Sequence, residues 1–325
     1  MFVNDCLNIN EKGHLTIGGC DTVELAKEYG TPLYVLDENT IRTTCRSYVE
    51  SFKKFYNGNG MPLYASKALS CKELCRIANE EHLGLDVVSG GEIYTAQQAG
   101  FPMEKTHFHG NNKTAAEIMM DFIGKIKDEL GVTISNLNLG GGFGIMYVNS
   151  DEPVPYENYM EKVSVAVKAK AAEHNVPVPY IFIEPGRSIV GEAGITLYTV
   201  GGIKEIPDIR TYVSVDGGMT DNIRYALYQS DYTVVNASHA DKEATQTVTV
   251  AGKCCESGDL VQEHTQVAPV TVGDTLAVLS TGAYNYSMAS NYNRIPRPAI
   301  VMVKDGKARV VVKRESYEDI VKNDI

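Results

Sequence analysis

Met61-Pro-Leu-Tyr-Ala-Ser66, with Lys67 directly after it and a helical pattern beyond, is a short apolar run that stops at a polar residue. A run of this kind reads as a strand covered on both faces, as in parallel sheets flanked by helices. The same unit recurs on either side. Leu85 to Val88, Thr106 to His109, Ser135 to Leu139 and Tyr180 to Ile183 are four further candidate strands. Ile41, Cys45, Tyr48, Val49, Phe52 and Phe55 trace one helical stripe, with Gly58 available to end it. Ile118, Phe122, Ile126 and Leu130 trace another, with Thr114 and Glu117 spaced as a capping box. Strands alternating with helices from Asp37 to Gly191 are expected to form a parallel, barrel-like α/β domain.

Working outward, the pattern changes near Gly194. Thr196 to Gly201, Thr211 to Val215, Thr245 to Val250, Thr275 to Leu279, Ala299 to Val303 and Ala308 to Val312 read as strands without intervening helices. Asp305-Gly306 between the last two is a tight hairpin signal. With Leu15 to Ile17 and Leu33 to Asp37 these predict an all-β domain of residues 1–36 and 192–325, the barrel-like section 37–191 being inserted between its parts. No internal repeat or low-complexity tract is present.

Of the 325 residues, 43% are hydrophobic and 22% charged, so a large core can be buried. The net charge of −11 repels phosphate backbones and disfavours nucleic acid as a partner. No apolar run approaches the roughly 20 residues of a membrane span, and the start Met1 to His14 has no signal-peptide pattern, so a soluble cytoplasmic protein is expected. Its seven cysteines are odd in number and scattered, as free thiols would be. Cys71 and Cys75 lack further ligands for a tetrahedral metal, and no metal site is expected.

Four groups of residues carry potential chemistry. Lys67 stands at the carboxyl end of a strand, where barrel active sites gather, and a desolvated amine there can attack an aldehyde; a solvated rim lysine is the plain alternative. Asn138-Leu-Gly-Gly-Gly-Phe-Gly144 offers backbone N–H groups to a phosphate, or is an unliganded turn. Ile183-Glu-Pro-Gly-Arg187 adds a carboxylate and a guanidinium at the next strand end; Glu184 would keep a pyridine nitrogen protonated, or pair structurally with Arg187. Cys255, in Cys254-Cys-Glu-Ser-Gly-Asp259, is a loop thiol beside acids that could donate a proton.

Taken together, these stretches resemble the diaminopimelate decarboxylases, pyridoxal-phosphate enzymes that join a TIM barrel to a β domain. The resemblance runs in order through Tyr64-Ala-Ser-Lys67, Asp86-Val-Val-Ser-Gly-Gly-Glu92, Phe108 to Lys113, Gly140-Gly-Gly142, Glu184-Pro-Gly-Arg187, Asp216 to Tyr228, Cys255-Glu-Ser-Gly-Asp259, Gly282-Ala-Tyr284 and Asn291 to Pro298. Ornithine and arginine decarboxylases share the lysine motif and Glu184-Pro-Gly-Arg187; the Cys255 to Asp259 segment is the diaminopimelate form. The resemblance implies pyridoxal phosphate bound covalently to Lys67 and held by Gly141, Gly142, Glu184, Gly186, Arg187 and Tyr284. It implies substrate contacts from Arg187, Arg224, Tyr228, Glu256 and Tyr284, and a homodimer in which Cys255 protonates the product in a second subunit's site. The implied reaction converts meso-2,6-diaminopimelate to L-lysine, the last step of lysine synthesis.

The chain also departs from this pattern. Section 37–191 has five candidate strands, against eight and about 250 residues in a complete barrel. About three strand-helix units are absent, between Lys113 and Met120. With them goes the family's His-x-His-Ile-Gly-Ser-like strand, whose histidine stacks on the cofactor ring, and neither His107 nor His109 matches it. Weak cofactor binding and poor turnover are therefore expected. The alternative function is a non-catalytic homologue or fragment acting as a dimerising interaction protein; retention of Lys67, Cys255 and Glu256 argues for inherited chemistry.

Overall fold

The structure is a computed structural model and describes residue 2, residues 4–108 and residues 116–325. His109, the 109–113 part of the match beginning at Phe108, and Thr114 of the expected cap lie outside the described residues. The chain divides into two compact units, one of residues 42–144 and 152–189, the other of 1–41, 145–151 and 190–325. No helix among the described residues is long and apolar enough to cross a membrane.

The first unit is built on five parallel strands, β1 (Gly60–Ala65), β2 (Gly84–Val87), β3 (Thr106–Phe108), β4 (Asn136–Asn138) and β5 (Tyr180–Ile183), in the spatial order β3-β2-β1-β5-β4. Each reading of a strand from an apolar run is met within a residue or two. All four pairings are parallel. The first strand lies beside the last: Gly60, Met61 and Pro62 are in register with Ile181, Phe182 and Ile183. That is the seam that closes a barrel. The opening lies instead between β3 and β4, which are the two edges of the sheet. A half-barrel open at the place where the sequence lacks its strand-helix units is the consequence.

Helices α1 (Glu38–Tyr56), α2 (Lys72–Glu80), α3 (Gly90–Gln98), α4 (Ala116–Leu130) and α5 (Tyr156–Glu173) accompany these strands. Cys45, Tyr48 and Phe52 of α1 are buried as their spacing requires. Asn57 and Gly58 end α1 with φ of 53° and 71°, and the Gly58 N–H returns to the Phe52 carbonyl at 2.9 Å. The α4 stripe is a correction. Ile118, Phe122 and Leu130 are 59%, 58% and 70% exposed, while Met120 and Ile123 are buried. Gly124 explains the choice: a Cβ there would collide with the His174 ring beyond the end of α5, so the Gly124 side of the helix is the one that approaches α5.

The second unit is mainly β. Its nine-stranded sheet runs Leu260–Val267, Gln246–Ala251, Arg210–Val215, Gly194–Ile206, Leu33–Asp37, Ala299–Lys304 and Lys307–Val312, with Val234–Asn236 and Thr275–Val278 paired off this path. Gly194–Ile206 serves two cores: Ile195 and Leu197 enter the first, Tyr198 and Val200 the second, and a bulge follows between Val200 and Gly202. Leu15, Leu33, Val35, Ile195, Leu197 and Val301 fill the first core; Tyr198, Val213, Val248, Val261 and Val278 fill the second. Asp305 and Gly306 carry φ of 49° and 75°, as the hairpin signal required. Leu15–Ile17 joins this unit through a separate three-stranded sheet.

Candidate active site

In the first unit, Ser66–Ala68 is a single 3-10 turn at the carboxyl end of β1; Ser66 and Ala68 are buried and Lys67 is exposed. Anchoring both neighbours in the core presents the amine outward at the rim. Glu184 leaves the end of the adjacent β5 and is 9% exposed. Asn138, at the end of β4, donates from Nδ2 to Glu184 Oε1 at 2.7 Å and accepts the Gly140 N–H on its Oδ1 at 2.9 Å. One amide thus ties the carboxylate to the start of the glycine turn.

That turn is held against β5. The Glu184 N–H donates to the Gly140 carbonyl at 2.7 Å, and a Cβ on Gly141 would overlap the Glu184 carbonyl, so the approach requires glycine. Gly141 and Gly142 are exposed, and nothing lies within 4 Å of the Cβ position of Gly142. Gly186 serves closeness on the other side: a Cβ would strike Ala65 and Ala68, and the Ala65 N–H donates to the Pro185 carbonyl at 2.9 Å. Phe143 beyond the turn meets Tyr48 and Tyr159 edge-on at 5.3 and 5.1 Å, and Tyr48 stacks on Tyr156 at 4.0 Å. The Tyr48 hydroxyl, whose pKa burial raises, lies 2.7 Å from Ser188, next to Arg187.

Amine, fixed carboxylate and glycine turn therefore share one rim, on the neighbouring strand ends of β1, β5 and β4. This donor set fits pyridoxal phosphate: an exposed amine for the aldehyde, an acid locked in place for the pyridine nitrogen, and an open turn for the phosphate. His107, half-buried on β3, lies with its ring 4.5 Å from that of Phe182. Asp121, Glu173 and His174 form a cluster with ligand atoms within 4.8 Å of one another, but the Lys170 ammonium already lies 3.0 Å from both carboxylates.

In the second unit, the Arg224 guanidinium lies 5.3 Å from the ring centroids of both Tyr228 and Tyr284. Its Nε donates to the Tyr232 hydroxyl at 3.0 Å, and that hydroxyl lies 3.4 Å from Asn285 Oδ1. The terminal nitrogens of Arg224 make no hydrogen bond among the described residues, which leaves a fork suited to a carboxylate. Tyr284 has φ of 70°. Cys255 and Glu256 are exposed, but their loop is anchored: the Cys255 N–H donates to Asn293 Oδ1 at 2.8 Å and the Cys255 carbonyl accepts from the Tyr292 hydroxyl at 3.4 Å.

Two residues here escaped sequence reasoning. Asn138 opens the glycine motif in the sequence, but its bond to Glu184 depends on the pairing of β4 with β5. Tyr232 has no signal of its own, since its role is to hold Arg224.

A family model described as pyridoxal-dependent decarboxylase, C-terminal sheet domain, matches residues 31–282. Diaminopimelate decarboxylase of Bacillus subtilis (strain 168) is 40% identical over 432 aligned positions, covering 100% of this chain and 98% of that protein. The same-named protein of Methanothermobacter thermautotrophicus is 31% identical, covering 97% and 96%. A crystal structure of diaminopimelate decarboxylase from M. jannaschii with L-lysine superposes with a TM-score of 0.89 at 27% identity, covering 100% of this chain and 99% of that one. Aligning 325 residues across 432 positions leaves about 107 positions without a counterpart here, in keeping with the open half-barrel. Fold, strand-end residues and relatives agree, and the chain belongs to the diaminopimelate decarboxylase family of pyridoxal-dependent decarboxylases.

Proposed function

We propose that this chain decarboxylates meso-2,6-diaminopimelate to L-lysine in the cytoplasm, as a homodimer with shared sites. The observation that carries the reading is the rim of three adjacent strand ends presenting Lys67, the Asn138-held Glu184 and the open Gly141-Gly142 turn. When bound, pyridoxal phosphate supplies a sink for the electrons left as the carboxylate departs as carbon dioxide. Lys67 attaches the cofactor through its amine. Glu184 keeps the pyridine nitrogen protonated, and Asn138 holds that acid in place. Gly141, Gly142, Gly186, Arg187 and Tyr284 complete the cofactor contacts.

Arg224, 5.3 Å from the ring centroids of Tyr228 and Tyr284, grips a substrate carboxylate, and Arg187, Tyr228 and Tyr284 are further substrate contacts. Glu256 selects the distal ammonium group, and a diamino acid lacking the distal carboxylate leaves an arginine unpaired and fits poorly. Cys255 donates its thiol proton to the α-carbon and regains one from water. The exposure of Cys255 and Glu256 on an anchored loop suits residues that serve a second subunit.

The test is to incubate the purified protein with pyridoxal phosphate and either meso-diaminopimelate or ornithine, following lysine, putrescine and carbon dioxide. Lysine from the first substrate and no turnover of the second is the expected result. Cofactor-loaded protein that leaves diaminopimelate intact would contradict the assignment.

A further inference from the structure

Asp259 closes the Cys255-Glu-Ser-Gly-Asp259 stretch and has no part in the chemistry proposed above. It is 4% exposed. One carboxylate oxygen accepts the Met219 N–H at 2.6 Å and the other accepts the Cys254 N–H, also at 2.6 Å. The two donors belong to different loops: Met219 lies in the glycine-rich turn that runs into Arg224, and Cys254 immediately precedes Cys255.

The backbone around this carboxylate is shaped to admit it. A Cβ on Gly218 or on Gly252, one from each loop, would overlap the Asp259 carboxylate. The Lys253 N–H donates to the Gly217 carbonyl at 2.9 Å, which laces the two loops directly, and the Gly252 N–H donates to the Asp259 carbonyl at 2.8 Å within the Cys255 loop. Within the Arg224 loop, a second buried acid, Asp221, accepts the Gly218 N–H at 3.1 Å and a hydrogen bond from the Tyr198 hydroxyl. The Cys254 thiol is pushed up to about 11 by burial and by Asp259, which keeps it protonated beside the carboxylate.

We infer that Asp259 is a positioning residue, its carboxylate clipping the loop that presents Arg224 to the loop that presents Cys255 and Glu256. The inference rests on the substrate-handling roles assigned to those three residues. Charge-assisted bonds to two backbone amides fix both loops at once, so a change at one is transmitted to the other.

Asp259→Asn keeps the shape but sets an NH2 group against one of the two amides. In a folded variant, iodoacetamide labelling read by peptide mass spectrometry is expected to show the Cys254 to Cys255 ratio rising about tenfold, as one charge-assisted bond is lost. In the cofactor-loaded variant, kcat is expected to fall and KM for diaminopimelate to rise, each about tenfold, with cofactor absorbance unchanged. An unchanged labelling ratio, or loss of thermal stability with both kinetic constants intact, would overturn the inference. If the variant does not fold, amide hydrogen exchange on the wild type decides: Met219 and Cys254 are expected to be protected about a hundredfold or more, and unprotected exchange at either overturns it. Protected amides and a responsive labelling ratio in a wild-type chain that makes no lysine would sustain the clip and sink the functional reading instead.

Discussion

The seven cysteines divide by burial, and the division singles out one of them. Burial pushes the Cys6, Cys45 and Cys75 thiols up to about 12 and Cys71 to about 11, whereas Cys255 is exposed. Cys255→Ala is therefore expected to keep cofactor and substrate binding and to lose turnover by a factor of about 100 or more, the usual worth of a positioned proton donor. Unchanged turnover would remove the thiol from the reaction. A second residue-scale outcome concerns acid stability. Burial alone would raise the Glu315 carboxyl, but hydrogen bonds from Arg297 and Asn291 hold it down to about 2. A carboxylate lowered in the folded state stabilises above its unfolded value of 4.5, and that contribution disappears as pH falls toward 2. Between those limits the melting temperature should fall more steeply in the wild type than in Glu315→Gln; parallel curves would contradict this. The strand-end positions of Lys67 and Glu184 were legible in the sequence because each follows an apolar run. The roles of Tyr232 and Asp259 were not, because each acts through residues of another segment, Arg224 and Met219, that only the fold brings near, while Asn138 carried a local signal beside the glycine turn.

Among elements, the helix α4 exposes Ile118, Phe122 and Leu130 together, on a face that periodicity alone marked as one to be buried. Periodicity gives the existence of an apolar face; what lies against it depends on tertiary context. Phe122→Lys should reduce binding of an apolar dye and leave thermal stability within about 0.5 kcal/mol of wild type, as for an ordinary surface change. A loss several times larger would mean that the ring is buried in solution. The same limit applies to the strand Leu260–Val267. Its Gln262-Glu-His-Thr-Gln266 centre looks like a loop, yet Gln262 is buried and accepts the Tyr232 N–H at 2.9 Å. Strands of the parallel sheet, by contrast, are buried on both faces and announce themselves as apolar runs.

For the molecule as a whole, the retained β1 and β5 seam keeps the amine, the acid and the glycine turn on one rim, although β3 and β4 are open edges. Restoring the corresponding section of the Bacillus subtilis relative between Lys113 and Met120 is expected to tighten pyridoxal phosphate binding and raise turnover, measured by cofactor titration and lysine release. No gain in either would show that the half-barrel alone holds the cofactor fully. The two-part organisation was legible in the sequence because helical spacing gives way to strand patterning near Gly194. The place where the half-barrel opens was legible too, because the missing strand-helix units fall between the strands that become its two edges. The most direct measurement on the proposed chemistry is borohydride reduction of the protein with pyridoxal phosphate, followed by peptide mass spectrometry. The expected result is a pyridoxyl adduct on Lys67, absent in Lys67→Ala; an unmodified Lys67 in the wild-type chain would contradict the assignment.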